Sequence, residues 1–138
     1  MSSAVTEFSY SKKATVNYGE IDDLRFKILV QTPTGLTWTW FLFDTGADVS
    51  MLPRSWIENL GLNLSELSCH CMTGVSGEIV KVYKSNLKIK LDENAELIEI
   101  PVAFSESDSA PQIIGKAGIL NRFTITLDHK ARTVSFVN

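Results

Sequence analysis

The sequence predicts an all-β domain with little helix. Strand-like runs recur about every ten residues, and turn-forming residues such as Gly, Pro, Asp and Asn separate them. A length of 138 residues is enough for one domain with its own core. Residues 1–17 are mostly polar, so we expect them to form a flexible N-terminal segment, and we expect residues 18–138 to form the domain.

The first hairpin of the domain is predicted from alternating side chains. Residues 24–30 (LRFKILV) and residues 36–43 (LTWTWFLF) both have the period of two that is typical of strands. The turn Thr32-Pro33-Thr34-Gly35 connects them. The second strand ends on consecutive apolar residues, which indicates that it enters the core.

One short helix is predicted at residues 53–60. Pro53 suits the first turn of a helix, and Gly61 suits its C-terminal end. Trp56 and Leu60 have the spacing that places two side chains on one buried face of a helix. A second helix is predicted to start after Gly115, where a short amphipathic segment follows.

The remaining strands form three predicted hairpins and one short strand. They cover residues 68–72 and 78–83, residues 86–91 and 97–104, residues 123–127 and 133–137, and Ile113-Ile114. The first of these hairpins turns through Gly74-Val75-Ser76-Gly77, where the two glycines permit positive φ and mobility.

Asp44-Thr45-Gly46 follows the second strand directly and occurs once in the chain. Two carboxylates a few ångströms apart share a proton, because both cannot be ionised together without strong repulsion. One carboxylate then acts as a base toward water and the other as an acid toward a carbonyl. Since the chain has no second Asp-Thr-Gly or Asp-Ser-Gly, a second copy would supply the partner. The alternative is a surface turn, since Asp and Gly favour turns anyway.

Three segments together resemble the retropepsins, the single-lobe aspartic peptidases typified by retroviral proteases. The segments are Phe43-Asp44-Thr45-Gly46-Ala47-Asp48, Gly74-Val75-Ser76-Gly77 and Ile113-Ile114-Gly115. The similarity spans roughly residues 25–137. It implies a pepsin/retropepsin-like closed β-barrel with one or two short helices and a flap hairpin, and it implies a homodimer that hydrolyses peptide bonds.

The resemblance also assigns roles to individual residues. Asp44 would be the catalytic aspartate, Thr45 would bond its counterpart across the dimer, and Gly46 would lie under the substrate backbone. Substrate would also contact Ala47, Asp48 and the flap residues Gly74, Val75, Ser76 and Gly77. Structural support would come from Ile114, Gly115 and Lys116.

The chain departs from the compact retroviral enzymes at Lys116, at Ala117-Gly118, at Ser50-Met51-Leu52-Pro53 and in its closing segment. Lys116 stands where the family commonly has arginine, and lysine supplies charge without a planar bidentate fork, so the support of Asp48 would be weaker or arranged differently. The closing segment, residues 123–137, resembles the last hairpin of pepsin-like lobes. Dimerisation through the same strands as in the retroviral enzymes therefore does not follow from the sequence.

Composition excludes several classes of partner. The formal charge of −3 and the lack of a basic cluster argue against nucleic acid binding. No run of residues approaches the roughly 20 apolar positions that a membrane-spanning helix needs. The first residues lack the apolar region of a secretory signal, so we expect a cytoplasmic protein.

Cys69 and Cys71 flank His70, which raises the question of a metal site. Zinc needs three or four ligands, and the only other histidine is His129, far along the chain. We therefore expect no metal and no cofactor. Two reduced thiols fit a reducing compartment.

Three functional hypotheses follow. The first is a homodimeric aspartic endopeptidase that activates water between two Asp44 carboxylates. The second is a non-catalytic peptide-binding or dimerisation module on the same fold, because a fold does not determine a function. The third is a monomeric domain whose partner lobe lies on another protein.

Overall fold

The computed structural model describes residues 4–74 and 76–138 and consists almost entirely of β-strands. The strands of the described residues are β1 (Val5–Ser9), β2 (Ser11–Thr15), β3 (Gly19–Asp23), β4 (Arg25–Thr32), β5 (Gly35–Phe43), β6 (Ser50–Leu52), β7 (Ser68–Thr73), β8 (Ile79–Lys90), β9 (Ile98–Ser105), β10 (Ile113–Ile114), β11 (Thr124–Asp128) and β12 (Thr133–Val137). The described residues also form a short helix, α1 (Ser55–Asn59), and a 3-10 helix (Leu64–Glu66). The predicted all-β class is confirmed.

Most strands belong to one sheet that closes on itself. Their order is β4-β5-β10-β6-β9-β8-β7, and β4 also pairs with β8 through Leu29↔Lys90 and Val30↔Ile89. Six of the described strands, β4, β5, β10, β6, β9 and β8, therefore form a ring. β7 lies outside this ring and pairs with β8. Closure pairs backbone groups that an open sheet would leave exposed at its edges. This ring agrees with the closed barrel that the resemblance implies.

The ring encloses a core of apolar side chains that are almost fully buried. Its largest members are Phe41, Phe104, Phe136, Ile28, Leu52, Leu87, Ile89, Ile100, Ile114 and Ile119. Burial of a side chain of this size contributes about 1.5–3 kcal/mol. Ile114 ends β10, so the chain that follows this strand starts from a position fixed by the core.

Phe136 joins a second, smaller sheet to the ring. That sheet has the order β1-β12-β11. The Phe136 ring packs edge-to-face against four other phenylalanines, at centroid distances of 5.6 Å to Phe8, 6.1 Å to Phe26, 5.4 Å to Phe43 and 5.8 Å to Phe123. Because these rings come from both sheets, the cluster fixes the end of β5 against the small sheet.

The two faces of β5 differ in exposure. Phe41 and Phe43 point into the core and are 1% and 8% exposed, whereas Trp38 and Trp40 are 45% and 56% exposed. The phenylalanines anchor the last part of the strand. Asp44, the next residue, is therefore held at a defined position where the strand leaves the core.

Two strands lie in the N-terminal segment. Residues 1–17 are predicted to be flexible, and the structure places β1 and β2 within them. β1 pairs antiparallel with β12 along its whole length, and Phe8 stacks on Phe26 with ring centroids 4.2 Å apart. The polar composition of the segment conceals this structure, because only a few of its residues, such as Phe8 and Tyr10, pack against the core.

Both predicted helices differ from the structure. α1 is shorter than the predicted span of residues 53–60, and its N-cap residue, Arg54, makes no side-chain capping bond. The second helix, expected after Gly115, is absent: residues 117–122 form turns. Gly118 has a φ of +80°, and this left-handed conformation interrupts a right-handed helix.

β8 is one strand where the sequence predicts two, at residues 78–83 and 86–91. Ser85 and Asn86 interrupt the apolar alternation, but their backbones still pair with β9. The first half of β8 forms the predicted hairpin with β7. β8 thus connects that hairpin rigidly to the ring.

Candidate active site

The turn after β5 holds Asp44 half-buried at the end of the strand. Its backbone N–H donates to Ile114 O over 3.0 Å, and the N–H of Phe43 donates to Leu24 O over 2.9 Å. The N–H of Gly46 donates to Asp44 Oδ1 over 2.8 Å. A hydrogen bond to a carboxylate is stronger than one between neutral groups, so this contact orients the side chain within the turn.

Thr45 and Gly46 are exposed beside this carboxylate, and Ala47 is half-buried behind it. The Ala47 N–H donates to Asp44 O over 3.2 Å, which closes the turn. A Cβ atom at position 46 would lie 3.1 Å from Asp44 Oδ1, so any larger residue there would crowd the carboxylate. The structure therefore brings the three predicted catalytic residues together in one constrained, solvent-facing turn.

Gly115 provides the closest backbone approach in this region. A Cβ atom at this position would lie 2.5 Å from Val49 O and 2.8 Å from Ala47 O. Both contacts are with backbone atoms, so only glycine fits without displacement of the loop. The neighbouring Lys116 N–H donates to Ala47 O over 2.9 Å. β10 and the residues after it thus support the loop that carries Asp44.

Asp48 and Lys116 form an ion pair on the surface of the same loop. Lys116 Nζ lies 3.1 Å from Asp48 Oδ1, and the two side chains are 42% and 83% exposed. The backbones are also joined, because the Ala117 N–H donates to Asp48 O over 2.9 Å. The resemblance implies that Asp48 pairs with the basic residue after Ile-Ile-Gly. The structure contains this pair as one side-chain contact between Asp48 and Lys116.

Ser50 is a supporting residue that the sequence interpretation missed. It is completely buried, and its Oγ accepts a hydrogen bond from the Gly115 N–H over 3.1 Å. The bond crosses from β6 to the chain after β10 and satisfies a buried donor. The available signal was a polar residue next to the apolar pair Met51-Leu52, in a stretch otherwise suited to the core.

The hairpin of β7 and β8 carries the predicted flap turn. The Gly74 N–H donates to Glu78 O over 2.8 Å, and Gly77 has a φ of +83°. The Ser76 hydroxyl donates to the Glu78 carboxylate, and this bond lowers the pKa of Glu78. Val75, which the resemblance assigns to substrate binding, lies outside the described residues.

An open cavity of about 620 Å³ lies between the base of this hairpin and the loop after Asp44. Asp48 and Val49 line it from the loop, and His70 and Met72 line it from β7. The cavity shows that the hairpin base and the loop face each other across a space open to solvent.

A comparison with protein families bears directly on this arrangement. The sequence profile of a family described as "Aspartyl protease" matches residues 19–118. That span includes the Asp44 turn, the β7–β8 hairpin and Gly115. The chain belongs to the aspartyl protease family.

Solved structures with the same fold include two proteases. A retropepsin-like aspartic protease from Rickettsia conorii is 21% identical with a TM-score of 0.63, and the match covers 99% of this chain and 93% of that one. EIAV protease in complex with the inhibitor HBY-793 is 22% identical with a TM-score of 0.52, and the match covers 73% of this chain and 86% of that one. At these identities the likeness establishes the fold, which is retropepsin-like. No curated protein sequence matches the chain.

Cys69 and Cys71 of this aspartyl protease family member are exposed free thiols. Among residues 4–74 and 76–138, no three His, Cys, Asp or Glu side chains cluster as a metal site requires. None of the helices in this part of the chain is long and apolar enough to cross a membrane.

Proposed function

We propose that this protein is a homodimeric aspartic endopeptidase. The observation that carries the proposal is the single Asp44 turn, whose carboxylate is half-buried, oriented by the Gly46 N–H and supported by Gly115. An aspartic dyad needs two carboxylates, and the chain has one Asp-Thr-Gly motif. A second copy supplies the other carboxylate, with the reaction centre on a two-fold axis.

In this mechanism the two Asp44 carboxylates share one proton. The ionised carboxylate takes a proton from a bound water, whose oxygen attacks the peptide carbonyl carbon. The protonated carboxyl gives its proton to the carbonyl oxygen, which forms a tetrahedral diol. The C–N bond then breaks as the carboxyl that took the proton from water gives it to the leaving nitrogen. The other carboxylate takes a proton from a diol hydroxyl, and an acid and an amine are released. Apparent pKa values belong to the pair of carboxylates.

The remaining predicted residues would hold an extended peptide. The substrate would lie as an added strand between the Asp44 turn and the β7–β8 hairpin. Gly46, Ala47 and Asp48 would contact its backbone from one side. Gly74, Ser76 and Gly77, with Val75, would close over it and exclude water.

A non-catalytic peptide-binding module is the second candidate, and one observation favours it. Lys116 replaces the usual arginine, and it holds the exposed Asp48 through one surface contact. Such pairs contribute about 0–1 kcal/mol, so the substrate-facing carboxylate has limited support. This module would dimerise and bind peptides without cleaving them.

The test is to incubate the purified protein with a diverse peptide mixture from about pH 4 to about pH 7, with and without pepstatin. Mass spectrometry identifies the cleavage sites. The matched control is Asp44→Asn, because the amide oxygen can still accept the bond from the Gly46 N–H while the side chain no longer shares a proton. We expect cleavage by the wild type and none by the variant, with equal melting temperatures.

Both candidates are dimers, so cleavage separates them. Sedimentation velocity on the same samples shows whether the protein is a dimer, and a dimer that cleaves nothing would be the binding module. Cleavage retained in Asp44→Asn would contradict the proposal.

A further inference from the structure

The hairpin of β2 and β3 stands apart from both larger sheets. Within the described part of the chain, β2 and β3 pair with each other and form a separate two-stranded sheet. Their register runs from Ser11↔Asp23 at the base to Thr15↔Gly19 at the turn. A two-stranded hairpin is marginally stable by itself in water. Contacts at its base or its tip must therefore stabilise this one.

The tip of the hairpin presents two apolar side chains to solvent. Val16 is 100% exposed and Tyr18 is 83% exposed. The turn that carries them is nevertheless ordered: Thr15 Oγ1 donates to Gly19 O over 2.7 Å and accepts from the Tyr18 N–H over 3.0 Å. Turns are usually built from small or polar residues. A constrained turn with two exposed apolar side chains suits a contact with another surface.

The base of the hairpin is fixed beside the small sheet. Asp22 Oδ2 lies 3.3 Å from His129 Nδ1 in the β11–β12 turn. The Tyr10 N–H, just before β2, donates to Arg132 O over 3.0 Å. The direction of the hairpin is thus set at its base, while its exposed tip does not fold back onto its own protomer.

The same base lies beside the candidate catalytic turn. Leu24, which follows β3, accepts a hydrogen bond through its carbonyl oxygen from the Phe43 N–H over 2.9 Å. Asp23 precedes Leu24 and Asp44 follows Phe43, so the two aspartates flank this hydrogen bond. Two Asp44 carboxylates that share a proton must lie within hydrogen-bonding distance of each other. In the proposed dimer, the base of each β2–β3 hairpin therefore lies close to the contact between the two protomers.

We infer that the hairpin of residues 11–23 is a dimerisation arm whose tip, Val16 and Tyr18, docks on a second copy of this chain. This inference rests on the proposed function, which requires the two-fold axis beside Asp44. In an isologous dimer each arm reaches the other protomer, so every tip contact occurs twice. Buried tyrosine and tryptophan side chains at such contacts carry much of the binding energy.

Sedimentation velocity over a dilution series tests this arm through the dimer dissociation constant. We expect the double variant Val16→Asp/Tyr18→Asp to raise this constant by at least about tenfold, while thermal unfolding shows a folded protomer. The matched control is Leu97→Asp, which adds a charge at an apolar residue that is 42% exposed and lies outside the hairpin. This control should leave the constant unchanged.

A second measurement needs no disruptive substitution. Tyr18→p-benzoylphenylalanine places a photocrosslinker at the tip of the arm. Illumination of a mixture of ¹⁵N-labelled and unlabelled protein should give mixed-label crosslinked dimers, and mass spectrometry identifies the contacted peptide.

The outcomes separate this inference from the proposed function. An unchanged dissociation constant in the double variant, or crosslinks only within one protomer, would show that the hairpin is not a dimerisation arm. Neither result would contradict the proposed peptidase activity. If the double variant dimerises normally but has a raised KM, the hairpin contacts substrate instead, and the inference is wrong. If the wild-type chain dimerises through the arm but cleaves no peptide, the inference about the arm holds and the proposed peptidase function is refuted.

Discussion

Lys116 Nζ lies 3.1 Å from Asp48 Oδ1, but the loop that carries Asp48 is held mainly by the backbone. The N–H groups of Lys116 and Ala117 donate to the carbonyl oxygens of Ala47 and Asp48, each over 2.9 Å. These two bonds do not depend on the identity of the side chain at position 116. The ion pair therefore positions only the exposed Asp48 carboxylate. The loop itself is held by the two backbone hydrogen bonds.

Lys116→Met should have a small effect on stability. The pair is largely exposed, so its loss should change the free energy of unfolding by no more than about 1 kcal/mol. If Asp48 binds the substrate backbone, kcat/KM should fall by less than about tenfold, mainly through KM. Denaturant unfolding and steady-state kinetics measure both quantities. Lys116→Arg, which retains the charge, is the control, and collapse of the fold in Lys116→Met would show that the ion pair supports the loop.

Gly115→Ala should have a larger effect, because its Cβ would meet two backbone oxygens at 2.5 and 2.8 Å. Either the loop or β10 must move, and overpacking of this kind costs about 1–3 kcal/mol. We expect reduced thermal stability and loss of cleavage, with amide chemical-shift changes centred on residues 44–50. The control is Gly35→Ala, which has a φ of +127° but no atom within 4 Å of the added Cβ. Its changes should stay near its own turn.

Ser50→Ala tests the buried hydroxyl that accepts from Gly115. Its removal leaves the Gly115 N–H buried without that acceptor, which costs about 1–3 kcal/mol. Denaturant unfolding should report the loss, and hydrogen exchange of the Gly115 amide should accelerate. Ser109→Ala removes an exposed hydroxyl and should stay within about 0.5 kcal/mol of the wild type. Equal stability of the two variants would mean that the Ser50 bond contributes nothing.

The local parts of the fold and site could be predicted from the sequence. Alternation located β4 and β5, and the Asp-Thr-Gly turn followed β5 at the expected position. The resemblance assigned structural support to Gly115, and a Cβ atom at this position would lie 2.5 Å from Val49 O and 2.8 Å from Ala47 O. The two strands and the Asp-Thr-Gly turn depend on neighbouring residues, so a single sequence contains their signal.

Features that depend on distant contacts were missed. Ser50 matters because Gly115, far along the chain, needs an acceptor, and no local pattern records that pairing. β1 forms because β12 offers it an edge and because Phe8 meets Phe26. The predicted second helix fails because Gly118 is left-handed beside Ile100, whose Cγ2 would lie 2.8 Å from a Cβ atom at position 118.

Tyr10 gives a prediction for alkaline pH. It is buried, and its hydroxyl has no hydrogen-bond partner among the described residues. Burial, followed by the negative charges of Asp22 and Asp128, raises its pKa above the usual value of 10.0. The folded state therefore binds the phenolic proton more tightly than the unfolded state. Stability is unaffected well below pH 10 and falls as the pH rises from that value through the raised pKa.

Tyr10→Phe should remove this pH dependence. At neutral pH its melting temperature should equal or exceed that of the wild type, because an unpaired polar atom leaves a buried position. Above about pH 10 the variant should be the more stable protein, and thermal unfolding from about pH 7 to about pH 11 measures the difference. Tyr18→Phe, measured at concentrations where the protein is monomeric, is the matched control, since this ring is 83% exposed on the protomer. A lower melting temperature for Tyr10→Phe at neutral pH would mean that the Tyr10 hydroxyl has a stabilising partner.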